Sequence, residues 1–293
     1  VVFYFACAVP VCEGSLLKPA VQIPEETFHA ARRIYNPRHS YLRIGDQLGR
    51  ILQAVDLELL DPQGSLGGEA ALRLGMVTAF QYAESLPDLA ASEAALRRLD
   101  WRYALFLPAN HPGVSPEALC GFRRRLYTSR AGMQEFGLLF DALAKAGLPA
   151  AAAVAAASPA ADQAERAVQI LLTVCEITRL HRLNLAMKMA LSALSSARPD
   201  WLRTVFQPHW YERYKSGQVY QPAHQAPAGR AAEAGAVGED IRRLMSALQQ
   251  PGAGELAGLP EVRSLAQLWE EQYQTGPAGN NTWRGPGCAG CKA

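Results

Sequence analysis

The feature that most constrains this chain is a hydrophobic rhythm of three and four, interrupted at short intervals by proline and glycine. No convincing run of alternating β-branched residues accompanies it in 293 positions. Apolar residues at i, i+3, i+4 and i+7 turn one face of a helix toward a core, whereas a half-buried strand needs strict alternation. Leu48, Ile51, Leu52, Val55 and Leu59 have the helical spacing, and Asp61-Pro62 with Gly64 ends that segment. Leu72, Met76, Ala79, Phe80 and Ala83 give a second helix, about 69–85, its apolar face. A third is predicted over about 89–99 with Leu89, Leu96 and Leu99 inward, after the short break Leu86-Pro87-Asp88. Two helices joined by so few residues outline a helix-turn-helix.

The same punctuation organises the rest. Pro24-Glu25-Glu26 opens a helix with proline and two acids in its first turn, and Asn36-Pro37 closes it. DWRYALFL, 100–107, reads as an aromatic connector, and His111-Pro112-Gly113 as a loop. Ser115-Pro116 is an N-cap with proline at the first helical position. A further helix is predicted from about Gln134 to Ala146, with Gly147 as its C-cap. A long one is predicted from Gln163 to Ala197, stopped by Pro199-Asp200. Trp201, Phe206, Trp210, Tyr211 and Tyr214 form an aromatic cluster, 216–237 reads as loop, and short helices follow at 241–248 and after Pro260.

These readings predict an all-α helical bundle with a candidate helix-turn-helix. The expected organisation is an irregular segment at 1–23, a helical domain at 24–148 and a flexible Ala-rich linker at 149–162 containing PAAAAVAAASPAA. A second helical region at 163–275 and a disordered Gly- and Pro-rich tail at 276–293 complete it. With 49% apolar residues a sizeable core can form. The apolar run Val1–Val11 is too short to span a bilayer and lacks a basic flank. It reads as a partial or mis-started frame, and no membrane partner is expected. Cys7, Cys12, Cys120, Cys175, Cys288 and Cys291 form no dense framework, so a reducing cytoplasm is the expected location.

A formal charge of only +2 excludes an argument for a polyanionic partner from overall balance, so local charge must carry it. Between positions 97 and 130, Arg97, Arg98, Arg102, Arg123, Arg124, Arg125 and Arg130 face only Asp100 and Glu117, a surplus of five positive charges. Guanidinium forks donate two parallel hydrogen bonds to phosphate, and Trp101, Tyr103, Phe122 and Tyr127 interleave with them. These seven arginines are the candidate DNA contacts. Cys288-Ala-Gly-Cys291 has no second ligand pair, and no metal site is expected. Asp162 and Glu165 are near neighbours, but no carboxylate set resembles a two-metal cage, and no P-loop, GxGxxG, GxSxG or HExxH occurs.

Three ordered stretches carry a resemblance. They are LRLGMVTAFQYAESLPDLAASEAALRRLDWRYALFL at 72–107, LCGFRRRL at 119–126, and TRLHRLNLAMKMALSALSSARPDWL at 178–202 followed by HWYERY at 209–214 and LPEVRSLAQLWEEQYQ at 259–274. Together they resemble the helical N-terminal part of bacterial insertion-sequence DDE transposases, over roughly 24–284. The resemblance implies binding to the terminal inverted repeats of a mobile element. An intact member is implied to cut and join DNA with a carboxylate triad holding two Mg²⁺ on a ribonuclease-H-like fold. Here the window of the first carboxylate falls on Glu165-Arg166-Ala167-Val168, with Arg166 at the acid's place. The later acids belong to an α/β region beyond Ala293. The expectation is a truncated, degenerate copy with no cofactor of its own, and only Asp162 and Glu165 as displaced catalytic candidates. The alternative is a helical interaction or dimerisation module, a homo-oligomer included, using its aromatic segments and no DNA.

Overall fold

The structure, a computed structural model, describes residues 22–149, 162–215, 227–275 and 281–284. The irregular segment, the Ala-rich stretch beyond Pro149, part of the predicted 216–237 loop and the Cys288/Cys291 pair lie outside the described residues. The rest is all-α, as the periodicity requires, with thirteen α-helices and one two-stranded sheet among the described residues.

Eight helices come first: α1 (Glu25–Ile34), α2 (Ser40–Asp46), α3 (Leu48–Ala54), α4 (Gly68–Glu84), α5 (Asp88–Arg97), α6 (Leu99–Ala104), α7 (Pro116–Tyr127) and α8 (Arg130–Ala146). The 35-residue α9 (Gln163–Ala197) follows, then α10 (Pro199–Val205), α11 (Pro208–Tyr214), α12 (Pro227–Leu248), a 3₁₀ turn at Gly254–Gly258 and α13 (Pro260–Gln272). Strands β1 (Tyr273–Thr275) and β2 (Asn281–Trp283) pair antiparallel. No helix among the described residues is long and apolar enough to cross a membrane.

Helix ends follow the local chemistry. Ser115 Oγ accepts the Ala118 amide at 3.1 Å, with Pro116 in the first turn of α7. Gly147 ends α8 at φ 108°, where a Cβ is strained. Asp162 and Glu165 form a reciprocal capping box on α9, each side chain accepting from the other's backbone amide at 2.8 and 3.2 Å.

The apolar residues form two large clusters. In the first, Leu72, Phe80, Trp101, Phe122, Phe136 and Phe140 are buried around α4, whose turns are enclosed on nearly every side. In the second, Trp210, Tyr214, Ile241, Leu244 and Leu265 pack on the distal half of α9. The start of α9 belongs to the first cluster through Ala164, Ala167, Ile170 and Leu171, and its end to the second through Leu183–Leu194. The two clusters thus share α9, one at each of its ends. A helix whose contacts change along its length shows no break in sequence.

The middle of α9 is a polar belt. Glu176 receives Arg230 of α12 at 2.5 Å, and the Thr178 hydroxyl accepts the Asp88 amide at 3.2 Å. Buried Arg179 bonds Gln272 and donates to the Arg284 carbonyl at 2.9 Å, with Trp283 stacked 4.6 Å from its guanidinium carbon.

Several expectations are corrected. The helix predicted around 48–59 stops at Ala54, where Val55 turns extended, and 57–60 form a turn with Leu59 41% exposed. The connector at 100–107 contains α6, wholly buried at Trp101 and Tyr103. Leu89 and Leu96 face outward at 47% and 40%, because α5 turns its alanines 91, 94 and 95 inward for close approach. The helix predicted from Gln134 starts at Arg130, capped by Ser129. Residues 227–237, read as loop from their Gly and Ala, begin α12, in keeping with alanine's helix propensity. Residues 281–283 of the predicted disordered tail form β2.

The aromatic cluster is organised by one buried carboxylate. Asp240, 2% exposed, accepts from His209 Nε2 at 2.8 Å, Tyr214 Oη at 2.9 Å and Arg213. Burial pushes its carboxyl up, but these hydrogen bonds outweigh that and hold it below its ordinary value. The linked stability is therefore present above the unfolded carboxyl range of about 3.9 and is lost as pH falls through the lowered folded value. Asp240→Asn is expected to lower the thermal midpoint at neutral pH. The gap between wild type and variant should narrow as pH falls below about 4. Melting curves across that range check both parts.

Candidate nucleic-acid interface

The arginines between 97 and 130 divide into two groups. Three turn inward. Arg98 bonds Glu84 at 2.5 Å and Asp100 at 2.8 and 3.1 Å, stacked between Tyr41 and Trp101. Arg102, 8% exposed, donates to the carbonyls of Leu96 and Pro108, both at 2.9 Å, and to those of Ala109 and His111. It ties the end of α5 to the loop after α6. Arg123 is 0% exposed and forms a two-pronged bridge to Asp88 at 2.9 and 2.6 Å, with Gln81 closing the group. A buried guanidinium already paired with a carboxylate cannot reach a phosphate without unfolding α7.

The other four lie outward. Arg97 and Arg124 are exposed, Arg125 is half-buried, and Arg130 is exposed with Asp162 at 3.4 Å. The local surplus of charge is thus smaller than the sequence window suggests. Glu84, Asp88 and Asp162 come from outside the window to neutralise it.

The candidate helix-turn-helix is α4 and α5, joined through Ser85 at φ 55°. A recognition helix must offer a free face to the major groove. The outward face of α5 presents Leu89, Glu93, Leu96 and Arg97, two leucines and a carboxylate for one arginine. It carries no concentration of positive charge.

Sequence inspection missed a different basic surface. Between positions 29 and 54 there are five arginines and one acid, Asp46. Arg32 and the Tyr103 hydroxyl, the latter at 2.6 Å, bind that acid. Arg33, Arg38, Arg43 and Arg50 remain exposed with no carboxylate partner among the described residues. The signal was available as a charge count over this window.

The position implied for a first catalytic acid carries a cation with an established partner. Arg166 Nη2 bonds Asp141 Oδ2 of α8 at 2.8 Å, with its side chain 14% exposed. Asp162 and Glu165 are used by the capping box. No group of three or more His, Cys, Asp or Glu among the described residues could hold a metal ion. The residues present here do not fit a Mg²⁺ ion, because a guanidinium stands where a carboxylate ligand would be required.

No protein-family model, curated protein or solved structure matches the chain.

Proposed function

We propose that the chain is the DNA-binding helical part of an insertion-sequence transposase, recognising the terminal inverted repeats of its element and unable to catalyse strand transfer by itself. The observation that carries this reading is the set of outward arginines with no carboxylate partner among the described residues, Arg97, Arg124 and Arg125 together with Arg33, Arg38, Arg43 and Arg50. Guanidinium groups left unneutralised on a chain of nearly balanced charge suit a phosphate backbone. The resemblance supports the same reading through its structural residues. Trp101, Arg102, Arg123, Arg179, Trp210 and Tyr214, all within the resembling stretches, are buried joints of the bundle. Arg166 in place of an acid argues against strand transfer.

Fluorescence anisotropy with the inverted repeats that flank the gene, against a shuffled duplex, tests the reading. Binding to both is expected at about 50 mM salt, weakening linearly with the logarithm of salt concentration and tighter for the repeats. Neither duplex should be nicked with Mg²⁺ or Mn²⁺. Absence of binding to either duplex contradicts the proposal, and nicking contradicts its catalytic half.

A second reading, a protein-interaction module, draws on Leu185 and Met189 of α9 and Tyr211 of α11, which are 38%, 51% and 65% exposed. A monomer by light scattering that captures no second copy counts against it.

A further inference from the structure

We propose that Arg33, Arg38, Arg43 and Arg50 form the principal surface that tracks the phosphate backbone of duplex DNA. The proposal rests on the reading of the chain as DNA-binding and adds where the backbone is held.

Four observations carry it. The first is spacing. Gln47 barely interrupts the path from α2 into α3, since the amides of Arg50 and Ile51 both bond its carbonyl at 2.9 and 3.1 Å. Arg43, Gln47 and Arg50 therefore follow i, i+4, i+7 along one nearly continuous helical face. That face spans about 10 Å, or three base-pair steps of about 3.4 Å.

The second is how the face is held. Tyr41, Leu42, Ile44, Leu48, Ile51 and Leu52 turn the opposite side of the same segment into the core, so the arginines ride on a fixed support. Arg32 in the last turn of α1 bonds Asp46, which lies between Arg43 and Arg50 in sequence. Arg33 is the next residue of that turn. The Arg43 guanidinium carbon lies 3.2 Å from where a Cβ on Gly147 would stand. That places it over the end of α8, where a helix favours a cation without neutralising it.

The third is charge. The single acid of the segment is already taken by Arg32 and Tyr103, so the four cations keep their full field. By contrast Arg98, Arg123 and Arg130 of the downstream stretch each have a carboxylate. The fourth is the small apolar content of the stripe. The aliphatic side chains of α2 and α3 are buried in the core, and Ile34 and Phe28 of α1, 69% and 40% exposed, are too few to form the wide apolar face of a membrane-seated helix. A phosphate-lined groove is the polyanion that fits.

The test compares the full-length chain with two charge-matched variants on a random-sequence duplex, by anisotropy over a salt series. One variant carries Arg33→Gln, Arg38→Gln, Arg43→Gln and Arg50→Gln. The other carries Arg97→Gln, Arg124→Gln, Arg125→Gln and Arg130→Gln. If each arginine of the α1–α3 face meets one phosphate, the first variant loses about 3.6 from the salt slope. The wild-type affinity then falls about 100-fold more steeply than the variant's between about 50 and 200 mM salt. The second variant should lose less than half as much. Circular dichroism should be unchanged for the first variant and its melting little lowered, since only Arg43 has a favourable contact to lose, at the end of α8. Should it not fold, the Arg43→Gln, Arg50→Gln pair alone is expected to remove about 1.8 of the slope. A wild-type chain with no salt-dependent binding overturns the DNA reading itself. Wild-type binding with an unaltered slope in the first variant overturns only the location, as does a larger loss in the second. Equal affinity of the wild type for vesicles of anionic phospholipid overturns the choice of partner.

Discussion

Arg123→Leu is expected to destabilise the chain by about 3–5 kcal/mol, because it leaves Asp88 charged, buried and without its counterion. Set against a usual domain stability of about 5–15 kcal/mol, this approaches global unfolding. The Asp88 carboxylate is met by both guanidinium nitrogens at 2.9 and 2.6 Å and by Gln81 Nε2 at 2.8 Å. The Asp88 amide then reaches Thr178 of α9, so the bridge joins α4, α5, α7 and the spine. Adding Asp88→Leu to Arg123→Leu should recover part of the loss, since removing both charges abolishes the uncompensated one. Arg124→Ala, one position along and exposed, should change stability by no more than about 0.5 kcal/mol. Urea denaturation of the four proteins checks the series. An Arg123→Leu variant as stable as Arg124→Ala would contradict the burial of this residue.

Gly137→Val is expected to cost about 3 kcal/mol or more. A Cβ at Gly137 would lie 2.3 Å from the carbonyl oxygen of Gln163 and 2.8 Å from its carbonyl carbon. The obstacle is backbone in the first turn of α9, which cannot rotate away as a side-chain tip can. The two helices would have to separate along their contact, detaching Ala164, Ala167 and Ile170 from the first core. Gly49 in α3 has nothing within 4 Å of its Cβ position. Gly49→Ala should therefore stabilise by about 0.5–1 kcal/mol through helix propensity and a less flexible unfolded chain. Opposite signs for the two substitutions in thermal melting are the expected outcome.

What the sequence made legible was whatever depends on neighbours along the chain. The helical class, the Ser115-Pro116 start, the Gly147 stop and the limits of α9 all follow from residues within a turn of one another. Leu89 and Leu96 misled because periodicity assigns the largest apolar residues to the core, whereas α5 packs through its alanines. The candidate site was legible only in part, because the partners of its charges come from far away in sequence. Asp88 is 35 residues from Arg123, Glu176 is 54 from Arg230, and Gln272 is 93 from Arg179. A charge window cannot count such partners, so the stretch at 97–130 appeared more basic than its surface is. Arg33, Arg38, Arg43 and Arg50 are the opposite case, exposed with no acid partner among the described residues. The three-residue spacing of Asp162 and Glu165 is that of a capping box, although in sequence the pair reads as displaced catalytic candidates. The pairing of Arg166 with Asp141 on α8 was not visible in the sequence.

The resembling stretches thus hold two kinds of arginine. Those at 98, 102, 123 and 179 fasten helices to one another, while Arg97, Arg124 and Arg182 face solvent. The inward set makes the fold; the outward set, led by Arg33, Arg38, Arg43 and Arg50, is the surface proposed to meet DNA. Dicarbonyl labelling of arginine, read by mass spectrometry on the folded chain with and without duplex DNA, tests both halves at once. Arg33, Arg38, Arg43, Arg50, Arg97 and Arg124 should label readily and Arg102, Arg123 and Arg179 hardly at all. Duplex should slow the first four most. Labelling of Arg123 as fast as Arg124, or no protection of any outward arginine by duplex, would contradict the account.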